Sequence, residues 1–265
     1  METPATPIVG TKPKLLIFDL DGTVYRGTDE VPGAGDFLRR AMAQGIRCLY
    51  VTNRSNRAPE IVRDQIRGFG VPCEAKDIIT TAGATARYLG GGTAYVVGEE
   101  GLHQAMREQG IRETEDHPDA VVVSIDRDFT YRKLAIASTL IRDHGARYIA
   151  TNADACLKLE DGLHPGTGSI VAAVSTAARR EPDVIIGKPN RILFDLALQE
   201  AGCTAGEAVA IGDNLATDIG AAVCAGIRSV LLLTGISTRT DIHSDGPKPT
   251  WVVENFTELT RMFAL

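Results

Sequence analysis

Short apolar runs, each ended by a polar group or a turn, alternate along the chain with longer stretches of helical period. The first run, Lys14-Leu15-Leu16-Ile17-Phe18, is apolar at nearly every position rather than every second one. That pattern marks a strand buried on both faces. Runs of the same kind occupy 46–51, 184–186, 208–211, 229–233 and Trp251–Val253. Between them, 35–44 predicts a helix stopped by Gly45, Pro59–Gly68 one entered through its proline, and Ile192–Ala201 one stopped at Gly202. A helix over 215–225 and a short one at the C-terminus complete the series. Such alternation predicts an α/β fold with a Rossmann-like, largely parallel sheet.

The stretch 83–181 carries an alternation of its own, with strands over Thr93–Val97, 120–125 and 147–151 and helices over 102–109 and 131–144. Strands with connecting helices can close a separate core, so this stretch reads as an inserted domain rather than a long loop. The expected organisation is a discontinuous catalytic core, 1–82 and 182–265, with an α/β cap domain over 83–181. Gly90-Gly91-Gly92 reads as a turn inside the insertion, since it lacks the lysine and helix start of a nucleotide cradle.

The ends of the apolar runs hold the candidate chemistry. Asp19 and Asp21 follow the first run, and Gly22 begins a turn. Open α/β sheets place their binding crevices at the carboxyl ends of strands. Two carboxylates that close repel, and need a cation, a shared proton or both. Magnesium would satisfy them by taking oxygen from one side chain and a backbone carbonyl. Three other runs end in Thr52-Asn53, in Gly187-Lys188-Pro189 and in Gly212-Asp213-Asn214, with Asp218 soon after. Each feature has a plainer reading: solvated acids in a turn, a surface lysine, and for Asp218 an acid favoured by a helix dipole. Their recurrence at strand ends is what argues for one shared site. Val24-Tyr25-Arg26-Gly27 fits a small hairpin flap, with a plain loop as the alternative.

On these segments the chain resembles the haloacid dehalogenase superfamily of phosphoryl-transfer enzymes. Asp19-Leu20-Asp21-Gly22-Thr23, Thr52-Asn53, Lys188-Pro189 and Gly212-Asp213-Asn214 with Asp218 match its four motifs. The insertion looks like the cap of nagD-like phosphatases, the group that includes p-nitrophenyl phosphatases. Asp126-Arg127-Asp128-Phe129-Thr130-Tyr131, Ala150-Thr151-Asn152 and Pro165-Gly166-Thr167-Gly168-Ser169 are also similar to that group. The resemblance implies Asp19 as nucleophile and Asp21 as general acid and base. It implies Asp19, the Asp21 carbonyl and Asp213 as magnesium ligands, and Thr52, Asn53 and Lys188 as phosphate-binding groups, with Asp218 and Asn214 in support. Asp126, Arg127, Asp128, Asn152 and Asp154, at strand ends of the cap, are candidates for specificity, with turn and capping chemistry as the alternative. Arg54 stands where many relatives have asparagine, and Ala153 where proline is common, which loosens any carry-over of substrate.

Composition narrows the function classes. At 265 residues the chain can hold two cores. A net charge of −6 and scarce aromatics, 5%, argue against nucleic-acid binding and against attraction to anionic membranes. The five cysteines form no C-x-x-C pair, and the five histidines show no metal spacing. Cys48 and Cys224, in apolar stretches, are expected in the core. The opening Met1–Pro7 stretch is no secretory signal, and its prolines suggest a loose tail. No apolar run reaches the ~20 residues of a bilayer span, so a cytoplasmic location is the default. The expectation is a magnesium-dependent phosphatase of small-molecule phosphate monoesters acting through an aspartyl-phosphate. The alternatives are a phosphotransferase with the same intermediate and a receiver-like regulatory phosphoacceptor. The oligomeric state stays open, a homo-oligomer paired through the cap being one option.

Overall fold

The computed structural model describes residues 12–159 and 162–265; the N-terminal tail expected above lies outside them. Two compact units are present, one of Met1–Thr52, Pro59–Ile79 and Lys188–Leu265, the other of Asn53–Ala58 and Thr80–Gly187.

In the first unit a six-stranded sheet runs in the order Trp251–Val253, Arg228–Leu232, Ala208–Gly212, Leu15–Phe18, Arg47–Thr52, Ile78–Thr80. Leu15–Phe18 is buried along its whole length and pairs in parallel with both neighbours, Phe18 standing opposite Ile211 and Tyr50. The all-apolar run was therefore a sound sign of a central strand. Its neighbours lead away to opposite halves of the sheet, which opens a crevice at their carboxyl ends. The helices Ala34–Ala43, Pro59–Gly68, Ile192–Ala201 and Phe256–Phe263 all form. A core of Phe18, Phe37, Tyr50, Phe256 and their aliphatic neighbours lies beneath one face of the sheet. Tyr25–Arg26 and Asp29–Glu30 make the small hairpin flap, antiparallel with Tyr25 opposite Glu30.

The second unit has a five-stranded sheet in the order Val184–Ile185, Arg147–Ala150, Ala120–Val123, Thr93–Val97, Arg112–Glu113. All its pairings are parallel. Tyr131–Arg142 and Thr167–Ala178 pack on it around Val121, Val123, Tyr148 and Val174. Thr130 Oγ1 caps the first of these helices by accepting from Lys133 N at 3.2 Å. An antiparallel hairpin, Cys156–Leu159 with Gly162–Pro165, completes the unit.

Three expectations need correcting. The run 184–186 was assigned to the catalytic core, but Val184–Ile185 is the edge strand beside Arg147–Ala150, so 182–187 belong to the second unit. A buried apolar run fits either sheet equally; only its pairing decides. The second unit also takes in Asn53–Ala58, far from it in sequence. Cys48 is buried as expected, but Cys224 is exposed, because Ala222 and Ala225 occupy the inward face of that helical turn.

Candidate active site

Three adjacent strands of the first unit deliver their polar ends to one place. Leu15–Phe18 ends in Asp19, whose N–H donates to Ile211 O at 2.9 Å and so continues the parallel pairing one residue further. Arg47–Thr52 ends in the buried Thr52, and Ala208–Gly212 leads into Asp213. Lys188 opens the last stretch of the first unit and is followed by a cis peptide to Pro189. Its Nζ donates to Asp19 Oδ1 at 2.5 Å and to Asp218 Oδ1 at 2.7 Å. All four ionic side chains are nearly sealed from solvent: Asp19 is 8% exposed, Lys188 3%, Asp213 1% and Asp218 3%.

One oxygen from each of Asp19, Asp213 and Asp218 lies within 4.8 Å of the others. Burial, then the charge of Asp218, raises the Asp19 carboxyl well above its ordinary range, against the pull of Lys188. The same two causes push Asp213 up to about 6. Burial alone would depress Lys188, but Asp19 and Asp218 outweigh it, so the ammonium stays charged. Among the described residues, three buried carboxylates thus cluster at Lys188, which pairs with two of them. The deficit of positive charge, and the hard oxygen donors, fit a divalent cation of the magnesium type.

Asp213 is held from several sides. Thr23 Oγ1 donates to its Oδ1 at 3.2 Å, and Ile236 N to its Oδ2 at 2.7 Å. Ser237 N donates to its carbonyl at 3.0 Å. A Cβ at Gly235 would stand 1.8 Å from Asp213 Oδ2, and one at Gly22 2.6 Å from the same atom. Gly22 also has φ +90, which a residue with a side chain rarely adopts. This turn brings Asp21 round beside the flap, where it bridges to Tyr25 and is half-buried.

Asp218 reaches Lys188 by an unusual helix start. Asn214 O accepts from Asp218 N at 2.9 Å and from Ile219 N at 3.2 Å, so Leu215–Ile219 is a wide π turn before the α-helix Gly220–Ala225. Asn214 Oδ1 caps it, accepting from Ala216 N at 2.9 Å, and Asn214 N donates to Asp218 Oδ2 at 3.0 Å. Asp218 therefore lies in a first turn, but its carboxylate is turned inward to the lysine. Asn214, read from the sequence as a supporting residue, stands at the start of this turn as its cap.

The residues read as the cap's candidates lie in the second unit. Asp126, 5% exposed, accepts from Asp128 N at 3.0 Å and from Lys133 Nζ at 2.6 Å, which is turn and ion-pair chemistry. Arg127 pairs with Glu99 through Nε at 2.6 Å and Nη2 at 2.7 Å. Asn152 and Asp154 both bond to Asn53, which belongs to this unit although it directly follows Thr52. Thr23, Gly235, Ile236 and Ser237 received no role from the sequence. The last three follow the strand Arg228–Leu232, so the rule that found the other site residues, a polar end on an apolar run, points to them as well.

Comparison with known proteins bears on what such a cluster does. Residues 16–112 match the family described as haloacid dehalogenase-like hydrolase, and residues 185–259 match a HAD-hydrolase-like family. The chain is 39% identical over 246 residues to the 5'-nucleotidase YutF of Bacillus subtilis, spanning 91% of this chain and 95% of the relative. It is 37% identical over 250 residues to an acid sugar phosphatase of Staphylococcus aureus, spanning 92% and 96%. Among solved structures, a p-nitrophenyl phosphatase from Archaeoglobus fulgidus superposes with a TM-score of 0.90 at 30% identity, covering 96% of this chain and all of that one, 100%.

Proposed function

Because the chain belongs to the haloacid dehalogenase-like hydrolases, in their nagD-like group, we propose that it is a magnesium-dependent phosphatase of small phosphate monoesters. The observation that carries the reading is the buried meeting of Lys188, Asp19, Asp213 and Asp218 at the carboxyl ends of adjacent strands. Asp19 is the nucleophile: a carboxylate oxygen attacks phosphorus, the phosphorus–ester oxygen bond breaks, and an aspartyl-phosphate forms. Asp21 gives its proton to the departing alkoxide. It then takes a proton from water, whose oxygen attacks phosphorus, releasing phosphate and restoring Asp19.

Asp19 and Asp213 would hold magnesium with the carbonyl of Asp21, and the bound cation would offset charge between the anionic nucleophile and the anionic phosphate. Lys188 keeps Asp19 oriented and adds a fixed positive charge, while Asp218 holds the lysine from its other side. Thr52 and Asn53 donate to phosphoryl oxygens, the kind of preorganised donor on which phosphoryl transfer chiefly depends. The relatives are named as a 5'-nucleotidase, an acid sugar phosphatase and a p-nitrophenyl phosphatase, and a small phosphate ester is the class those names share.

The test is a panel of nucleoside monophosphates, sugar phosphates and p-nitrophenyl phosphate, assayed with and without magnesium. Turnover that needs magnesium and disappears in Asp19→Asn, with an unchanged circular dichroism spectrum, is the expected result. Retained turnover in cleanly purified Asp19→Asn would refute the mechanism.

A further inference from the structure

The two oxygens of the Asp213 carboxylate are held from two different loops of the first unit. Thr23, in the turn after Leu15–Phe18, donates through Oγ1 to Oδ1 at 3.2 Å. Ile236, just after Arg228–Leu232, donates through its N–H to Oδ2 at 2.7 Å. Asp213 and Thr23 are both buried, so water is poorly placed to take over these bonds.

Thr234 ties the two loops to each other. Its Oγ1 donates to Gly22 O at 2.8 Å, in the residue just before Thr23. Its own carbonyl accepts from Arg26 Nη2, further along the same loop. The Gly22 carbonyl and the Thr23 N–H share one planar peptide. That N–H donates to Leu20 O at 3.2 Å, so the peptide is bonded on both sides. Its plane fixes the point from which the Thr23 hydroxyl reaches Asp213. Thr234 is also joined through Gly235 to Ile236. A closed circuit results, from Asp213 Oδ1 through Thr23, Gly22, Thr234, Gly235 and Ile236 back to Asp213 Oδ2. Two donors that shift separately let a carboxylate rotate, whereas two donors in one frame set its plane. Rotation leaves the charge unchanged but redirects the oxygen lone pairs that a metal uses.

We infer that Thr234 is a positioning residue, whose hydroxyl locks the two loops into one frame and so sets the plane of the Asp213 carboxylate for a divalent cation. The inference rests on the role proposed above for Asp213. A purely structural Thr234 would affect stability and leave the affinity for magnesium alone.

The experiment titrates magnesium by calorimetry into substrate-free wild type, Thr234→Val, Thr234→Ser, Thr23→Val and the Thr23→Val/Thr234→Val double variant. Thr234→Val keeps the side-chain volume and removes the hydroxyl. It is expected to raise the Kd for magnesium by about 10-fold or more, the usual effect of losing a bond that orients a metal ligand. Thr234→Ser, which keeps the hydroxyl, recovers most of the loss. In the double variant the second substitution adds little to the first, since one broken link already opens the circuit. An unchanged Kd in Thr234→Val, a loss that Thr234→Ser does not recover, or a full further loss in the double variant overturns the inference. Should Thr234→Val not fold, Arg26→Met opens the other tie from an exposed position. It is expected to raise the same Kd about threefold, the effect of one hydrogen bond at the low end of its range, and an unchanged Kd overturns the inference. A wild type that binds no magnesium overturns it too. A wild type that binds magnesium, loses affinity in Thr234→Val and hydrolyses no ester would support the role of Thr234 and refute only the phosphatase reading.

Discussion

Lys188 holds together side chains that would otherwise drive each other apart. It is bonded to two of three clustered carboxylates and is 3% exposed, so water cannot replace it. Lys188→Met should destabilise the metal-free protein by about 3–5 kcal/mol near neutral pH, the usual effect of leaving buried charges without their partner. Urea denaturation measures this, and a variant as stable as wild type would show that the acids are neutralised in some other way. The acids also make stability depend on pH. Asp213 is pushed up from 3.8 to about 6, so the folded protein keeps a proton that the unfolded chain releases. That stabilisation is complete below the unfolded value and fades as pH rises to the folded one. A bound divalent cation competes with this proton. The rise in Tm caused by magnesium should therefore be larger at about pH 7.5 than at about pH 5. An equal shift at both pH values would mean that magnesium binds elsewhere.

At the scale of elements, strands place the site residues and the turns after them aim the side chains. The turn at Gly22 is the most constrained, since it combines φ +90 with a distance of 2.6 Å from a would-be Cβ to Asp213 Oδ2. Gly22→Ala should lower kcat by about 100-fold or more, because displacing catalytic groups by an ångström has effects of that size. Stopped assays on the folded variant, checked by circular dichroism, would settle it; near-normal turnover would mean that Asp213 can move without loss. Helices and central strands were readable because their signals are local: Pro59 at a helix entry, Gly202 at an exit with φ +64, and continuous apolar runs. The hairpin Cys156–Leu159 with Gly162–Pro165 and the helix Thr167–Ala178 were not read. The hairpin lacks a clean alternation, and the helix, rich in alanine and valine, has little contrast between its faces. The π turn at Leu215–Ile219 has no sequence signal beyond its Asn214 cap.

For the molecule as a whole, the net charge is −6, and at the acidic cluster the bonded positive charge is that of the buried Lys188. Under the proposed mechanism Asp21, which activates water, makes water the acceptor of the phosphoryl group. In isotopically labelled water the released phosphate should carry the label, with no phosphoryl transfer to an added alcohol or sugar; transfer would favour the phosphotransferase reading. The sequence by itself determined the α/β class, the central strands along the chain and the polar groups at their ends, since an apolar run closed by a polar residue is a local pattern. Tertiary pairing alone decided the rest. It moved Val184–Ile185 to the second sheet, joined Asn53 to Asp154 across some hundred residues of chain, and turned the Asp218 carboxylate inward to Lys188. Such choices depend on which distant segments exclude water from each other, and no local run of residues encodes its partner.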